Sequence, residues 1–494
     1  MEPSNNERNK SKATQGAGRR KGTMESAPER KRARLSRAPP SSQDIASAVL
    51  HTFRQLPKKG KPQPNEYTTL AGVVLRDANR DVGLKTVALG TGTKCLSASK
   101  RCESGDVVND SHAEVIARRA FVSWLIAELG IAVGKLPENV TAKTEKKLLA
   151  AGEFFAFDPQ TKKFQLLEGV EFHFFVSQHP CGDCAILTPP EEIQSHSLPL
   201  NEQVKDGDGT LSTAGKEAEQ SVRTGAKPVQ NSTQSMGSKT LEEILSNIPR
   251  ASDVETGPQE LGVLRRKPGR GEATLSMSCS DKLARWVLMG IQGGPLLRVL
   301  ASPIYLESMT VVLGENTSDI HALNALSRGM IDRCKLLTER LNPPFRVAEP
   351  KVNVVPSSLL DGFPLTATAQ RQVPSGTAIN WSAETPPPSP HAAKTWHEVT
   401  LGATGRKFGA TKKAKTPLSP NTRSRLCRAI LSGRVVGLVR ALQGGAEEGA
   451  ELGSNCDWTW REVKEKWGAP YAEQMADVAR KPSLFENWIA KEQA

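Results

Sequence analysis

The chain has no apolar run approaching the roughly 20 residues a membrane-spanning helix requires, so no helical membrane span is expected. Cysteine is sparse, with eight irregularly spaced in 494 residues. That excludes a disulfide framework and points to a reducing compartment. The polar, basic N-terminus has no apolar signal core, so secretion is not expected. Apolar residues reach only 37% and aromatics 5%, with three Tyr, so part of the chain is expected to lie outside any packed core. Acidic residues are missing where basic ones gather: 405–440 holds ten Lys/Arg and no Asp or Glu. Clustered positive charge favours a polyanion, whether RNA, DNA or a phosphorylated small molecule. The plain alternative is a solvated basic face.

Of the formal net charge of +13, residues 1–40 carry +7. Residues 1–42 are polar and basic and read as a disordered tail. Arg19-Arg20-Lys21 and Arg30-Lys31-Arg32-Ala33-Arg34 resemble a bipartite nuclear import signal. The expected location is therefore nucleus, cytoplasm or both. Residues 68–75, 85–89, 171–177 and 304–312 read as strands. Residues 112–130 read as a helix with an apolar stripe of Val115, Ile116, Ala120, Trp124 and Leu125, Asp110 or Ser111 as its N-cap and Gly130 as its end. A short helix opened by Pro180 is expected, with further helices at 279–291 and 319–337 and beyond Arg423. Residues 195–262 read as a flexible polar insertion and 382–394 as a Pro-rich loop. The alternation of strand and helix predicts an α/β fold with a mixed sheet.

Within this frame stand His112-Ala113-Glu114 and, later, Pro180-Cys181-Gly182-Asp183-Cys184. The pair matches the His-x-Glu and Pro-Cys-x-x-Cys pattern of zinc nucleobase deaminases. The chemistry requires these groups. Water is too weak an acid to supply hydroxide at neutral pH, and zinc lowers the pKa of bound water to roughly 7. Imidazole and thiolate suit zinc, and a catalytic site keeps one position for water. Glu114 is placed to move protons rather than to bind metal. Alone, Pro-Cys-x-x-Cys also fits a structural zinc half-site or a redox pair. The third ligand stays open between Cys184 and Cys279 of Ser278-Cys279-Ser280-Asp281-Lys282.

Longer motifs narrow the reading. DSHAEVIARRAF (110–121), HPCGDC (179–184), RTGAK (223–227), KPGRG (267–271) and SMSCSDKLARWVLMGIQG (276–293) resemble the eukaryotic tRNA-specific adenosine deaminases. LPKKGKPQPNEYTTLA (56–71), GTGTKC (90–95), PIYLES (303–308), ATKK (410–413) and RSRLC (423–427) extend the likeness over most of 45–494. That family shares its catalytic domain with the double-stranded-RNA editing deaminases. The resemblance implies one deaminase domain over 43–494: a cytidine-deaminase-like mixed sheet flanked by helices, with a helical C-terminal extension. It implies zinc on His112, Cys181 and Cys279, with Cys184 merely nearby, and Glu114 as the acid–base residue. It also implies an enclosed inositol hexakisphosphate. The matching residues are Asn109, Arg118, Arg119, Lys282, Arg285, Trp286, Lys413 (or Lys412), Trp460, Lys464, Tyr471, Trp488 and Lys491. Thr93 and Lys94 match contacts to the target nucleotide, and 223–227 matches a loop that helps extrude the base. No double-stranded-RNA-binding module is recognisable, which favours a compact folded RNA such as tRNA, with alanine tRNA implied. The competing readings are editing of duplex RNA, a non-catalytic RNA-binding relative and a deaminase of free nucleosides. Retention of Glu114 argues against the second. Chain length and the basic C-terminal region argue against the third.

Overall fold

The computed structural model describes residues 38–80, 83–136, 148–187, 224–229, 259–267, 272, 274–314, 317–368, 370–384, 396–410, 422–443, 459–480, 483, 485 and 488. The basic tail to residue 37, most of the 195–262 and 382–394 segments, Arg223, Lys412, Lys413 and Lys491 lie outside them.

Alternation along Leu70–Asp77 (β1) gives the sheet two buried faces. Leu70 and Val74 join one apolar cluster, while Ala71, Val73 and Leu75 join the other. Six further strands complete it: Lys85–Thr91 (β2), Val170–Val176 (β3), Ser308–Val312 (β4), Lys351–Val355 (β5), Thr377–Ser382 (β6) and Trp396–Leu401 (β7). Their order is β5-β4-β3-β1-β2-β6-β7. The β3–β4 and β4–β5 pairs are parallel and the others antiparallel, so the sheet is mixed, as expected.

Helix α1 (Ser42–Gln55) closes one face with Ile45, Val49, Leu50 and Phe53. A Ser41–Asp44 capping box starts it. Helix α2 (Ala113–Gly134) lies on the other face. It approaches β2 so closely that a Cβ on Gly90 would stand 2.4 Å from the Ala117 backbone nitrogen, which explains the glycine there. Helix α3 (Cys279–Met289) and α4 (Asp319–Ser327) pack beside it. The C-terminal helices are α5 (Arg428–Leu442), α6 (Trp460–Trp467) and α7 (Ala469–Ala479).

Several boundaries differ from expectation. The N-cap of α2 is His112, because Asp110 and Ser111 belong to a strand, Asp110–His112, paired with Thr93–Cys95. The helix also continues past Gly130 to Gly134, where buried Ala132 prolongs its apolar side. Pro180 opens no α-helix. It precedes a tight turn and a 3-10 turn at Asp183–Ala185. The helix beginning at Asp319 passes through a π turn at Arg328–Asp332. Within the span read as a flexible insertion, Lys227–Pro228 pairs with Arg265–Arg266. No described helix is long and apolar enough to cross a membrane.

Candidate active site

Three segments meet where α2 and α3 begin. His112 ends its short strand in extended conformation and caps α2. Cys181 lies in the tight turn before Asp183 rather than in a helix of its own. Gly182 there has φ +106°, and a Cβ on it would stand 2.3 Å from Ser278 Oγ. Cys279 is the first residue of α3, behind the N-cap Ser278.

The possible ligand atoms of His112, Cys181 and Cys279 all lie within 4.8 Å of one another. His112 Nδ1 is 3.9 Å from Cys181 Sγ and 3.7 Å from Cys279 Sγ. The Cys279 amide donates to Cys181 Sγ over 3.4 Å. Ser280 fixes the turn by donating its hydroxyl to the carbonyls of Pro180 and Cys181, while its amide donates to the Cys181 carbonyl. A hydrogen bond from Cys279, then Lys267 and His112, holds the Cys181 thiol well below its usual range against burial. An imidazole and two thiols converging with one side half-open suit a zinc ion that keeps a position for water.

Cys184 is not part of this cluster. Its thiol packs against Gly329, where a Cβ would meet it at 2.5 Å, and burial pushes it up to about 12. Glu114 is buried in the first turn of α2, within electrostatic reach of Lys267 and Cys279.

Lys267 of KPGRG and Asp110, an N-cap candidate by sequence, both enter the site. The Lys267 Nζ donates to Cys279 Sγ at 3.2 Å and to Asp110 at 2.9 and 3.1 Å. Lys282 pairs with the same carboxylate. Burial opposes the charge on Lys267, but Asp110, Cys279 and Cys181 raise its pKa well above the usual lysine value. A buried Lys beside a Cys of the cluster carries no distinguishing sequence signal; only a fold that joins them reveals it.

Thr93 pairs with His112 across the short ladder, and half-buried Lys94 lies against Gly402. At the loop matched to base extrusion, Thr224 Oγ1 accepts from the Gly182 amide at 3.1 Å, and Gln259 holds Thr224 by two bonds.

A second group lies behind the first. Arg118 is surrounded closely enough for burial to lower it to about 10, with Tyr471, Arg285 and Arg119 as its charged or ionisable neighbours. Desolvation lowers Arg119 too. Both nevertheless keep accessible surface, as side chains lining a recess do. The Arg285 guanidinium lies 4.8 Å from the centre of the Trp488 ring. Arg285 Nε and Asn109 Oδ1 are buried without hydrogen-bond partners. Arg118 and Arg285, like charges side by side, fit a polyanion. The Trp286 ring packs edge-on against Phe174, with centroids 5.9 Å apart. Trp460 is held elsewhere, with Arg428 at 4.2 Å from its ring and its indole N–H donating to the Glu103 carbonyl. Lys464 is half-buried on α6.

The profile of the adenosine-deaminase (editase) domain matches residues 88–492. The chain belongs to this deaminase family. It is 33% identical over 374 residues to tRNA-specific adenosine deaminase 1 of Drosophila melanogaster, covering 76% of each chain. To the Homo sapiens protein of that name it is 31% identical, over 74% of this chain and 82% of the relative. To the double-stranded RNA-specific editase Adar of Drosophila melanogaster it is 27% identical, over 74% of this chain and 44% of the relative. This deaminase is therefore an enzyme acting on adenosine, with the mixed α/β fold expected.

Proposed function

We propose that this deaminase acts on tRNA, converting the adenosine just 3′ of the anticodon, in alanine tRNA, to inosine. The observation that carries the catalytic reading is the convergence of His112, Cys181 and Cys279 beside Glu114. The tRNA reading is supported by greater identity to tRNA-specific relatives than to the duplex-RNA editase, at 33% and 27%.

His112, Cys181 and Cys279 would hold zinc, which when bound supplies water acidic enough to ionise near neutral pH. Glu114 takes the proton released from water and passes it to the adenine ring nitrogen and then to the departing amine. Thr93 and Lys94 would touch the ribose and phosphate of the target nucleotide. An anticodon loop makes extrusion of the base inexpensive. Arg118, Arg119, Arg285, Tyr471, Trp488 and Asn109 would enclose inositol hexakisphosphate, whose phosphates would supply an acceptor for Arg285 Nε. We place the protein in the nucleus, the cytoplasm or both.

The test incubates purified protein with total tRNA and, separately, with duplex RNA, and locates inosine by sequencing. Inosine beside the anticodon in alanine tRNA supports the reading, whereas inosine in duplex RNA alone overturns it. Glu114→Gln should keep its metal but lose about 10²- to 10⁴-fold in rate, because an amide cannot accept the proton. Near-full turnover with intact metal would remove Glu114 from the role.

A further inference from the structure

The hairpin that follows β6 joins the active site to a basic surface on the sheet's outer edge. From β7 the chain turns at 402–405 and returns, with the Phe408 amide donating to the Val399 carbonyl at 2.7 Å. The turn touches the short ladder that holds His112: Gly402 lies against Lys94 of the partner strand, and the Gly405 carbonyl accepts at 2.8 Å from the amide of Val108, in the loop before the strand of His112. The other end of the hairpin meets the loop after α1. Gly60 packs on Val399, and its carbonyl accepts from Thr377 Oγ1 at 3.0 Å.

This loop reads Lys58-Lys59-Gly60-Lys61. Lys58, Lys59 and Lys407 are exposed, and no ion pair engages them among the described residues. Phe408 is 45% exposed, with Lys59 Nζ 5.6 Å from its ring centre. Burial, then Lys59, Arg425 and Lys61, keep neighbouring His397 below its usual range, a sign of concentrated positive potential. The three-residue step from Val399 to Gly402 places this patch about 10 Å from the turn at Lys94.

We propose that Lys58, Lys59, Lys407 and Phe408 form a second RNA-binding surface, which takes the strand flanking the target adenosine. The lysines contact backbone phosphates and Phe408 stacks on an unpaired base. Cations interleaved with one exposed aromatic ring suit single-stranded nucleic acid. The position suits it as well, because a substrate held at Thr93 and Lys94 continues as a polyanion on both sides of the reacting nucleotide. This inference rests on the proposed action on tRNA.

The test titrates the full-length enzyme against trace alanine tRNA under single-turnover conditions at several salt concentrations. Each curve returns a half-saturating concentration and a maximal rate. Lys58→Ala/Lys59→Ala/Lys407→Ala should raise half-saturation at least tenfold and make its salt dependence shallower by up to about three in log–log slope, the effect falling on affinity rather than maximal rate. Phe408→Ala should raise half-saturation several-fold, and Phe408→Trp should restore it. Lys351→Ala, on the opposite edge strand β5, serves as the control for net charge. Thermal midpoints confirm folding. Unchanged half-saturation and salt slope in the triple variant, with active wild type, would overturn this surface and assign the patch to another anionic partner such as an acidic protein. A wild-type enzyme that leaves tRNA unmodified would overturn the functional reading and this inference together.

Discussion

At the scale of single residues, the two cysteines of Pro-Cys-x-x-Cys part company. The Cys181 thiol faces His112, while the Cys184 thiol packs against Gly329 beneath α4. The turn at Gly182 separates them, whereas a regular helix would have carried both on neighbouring positions. Spacing in the sequence left Cys184 and Cys279 as rival ligands. The family likeness favoured Cys279, and the geometry agrees with it. Burial, Cys181 and Glu114 push the Cys279 thiol well up, and the Lys267 ammonium in contact with it opposes them in part. Cys279→Ala should therefore retain less than about a tenth of the zinc, while Cys184→Ala should keep it near stoichiometry. Metal analysis of the purified variants decides the matter, and the reverse result would restore the Pro-Cys-x-x-Cys pairing.

Among the elements, those with dense apolar sequence were legible. The aromatic run in β3 and the stripe of α2 could be placed because burial on a sheet and burial on a helix leave different periods. The N-cap of α2 was misplaced because Asp110 is engaged with two lysines rather than with the helix amides. Edge strand β5 and the inner strand β6 were not foreseen; Lys351, Asn353, Asn380 and Ser382 interrupt their apolar pattern. Some of those polar residues do structural work. Glu384, just past β6, accepts from Arg425 and Arg434 at 2.9 Å each. Arg434 lies on α5 and also bonds Ser123 of α2, so one carboxylate ties the C-terminal helices to the core. Although burial opposes it, Arg425 and Arg434 hold the Glu384 carboxyl below its usual range. Such a depressed carboxylate adds stability fully present above its unfolded pKa of about 4.3 and lost as pH falls through the folded value. Glu384→Gln should lower stability at pH 7 by about 3 kcal/mol, because two guanidinium groups lose their counter-charge. The difference between variant and wild type should shrink below about pH 4. Denaturant unfolding at pH 7 and pH 3.5 reads both effects; a gap that is constant with pH would show that the ion pairs are not its source.

For the whole molecule, the governing question is what balances its interior positive charge. His112 and Cys279 are 167 positions apart, and only the closing of the sheet brings them together. The same closure carries Arg118 of α2 and Arg285 of α3 toward Tyr471 of α7 and toward Trp488. The sequence marked these residues through family likeness. Breaking the compensation of a buried charge costs about 3–5 kcal/mol, while a whole domain is stable by only about 5–15 kcal/mol. Arg118 and Arg285 beside one another motivate the proposed polyphosphate. It would offer an acceptor to Arg285 Nε and would join the C-terminal helices to the catalytic half. The expected outcome is that protein made in cells unable to synthesise inositol hexakisphosphate falls at least tenfold in soluble yield and is inactive even when zinc is supplied. Arg118→Glu or Arg285→Glu should reduce soluble yield more than tRNA affinity. Native mass spectrometry of protein from ordinary cells should find one inositol phosphate per chain. Full yield and activity from the deficient cells, or a native mass with no added phosphate, would reassign the recess to RNA.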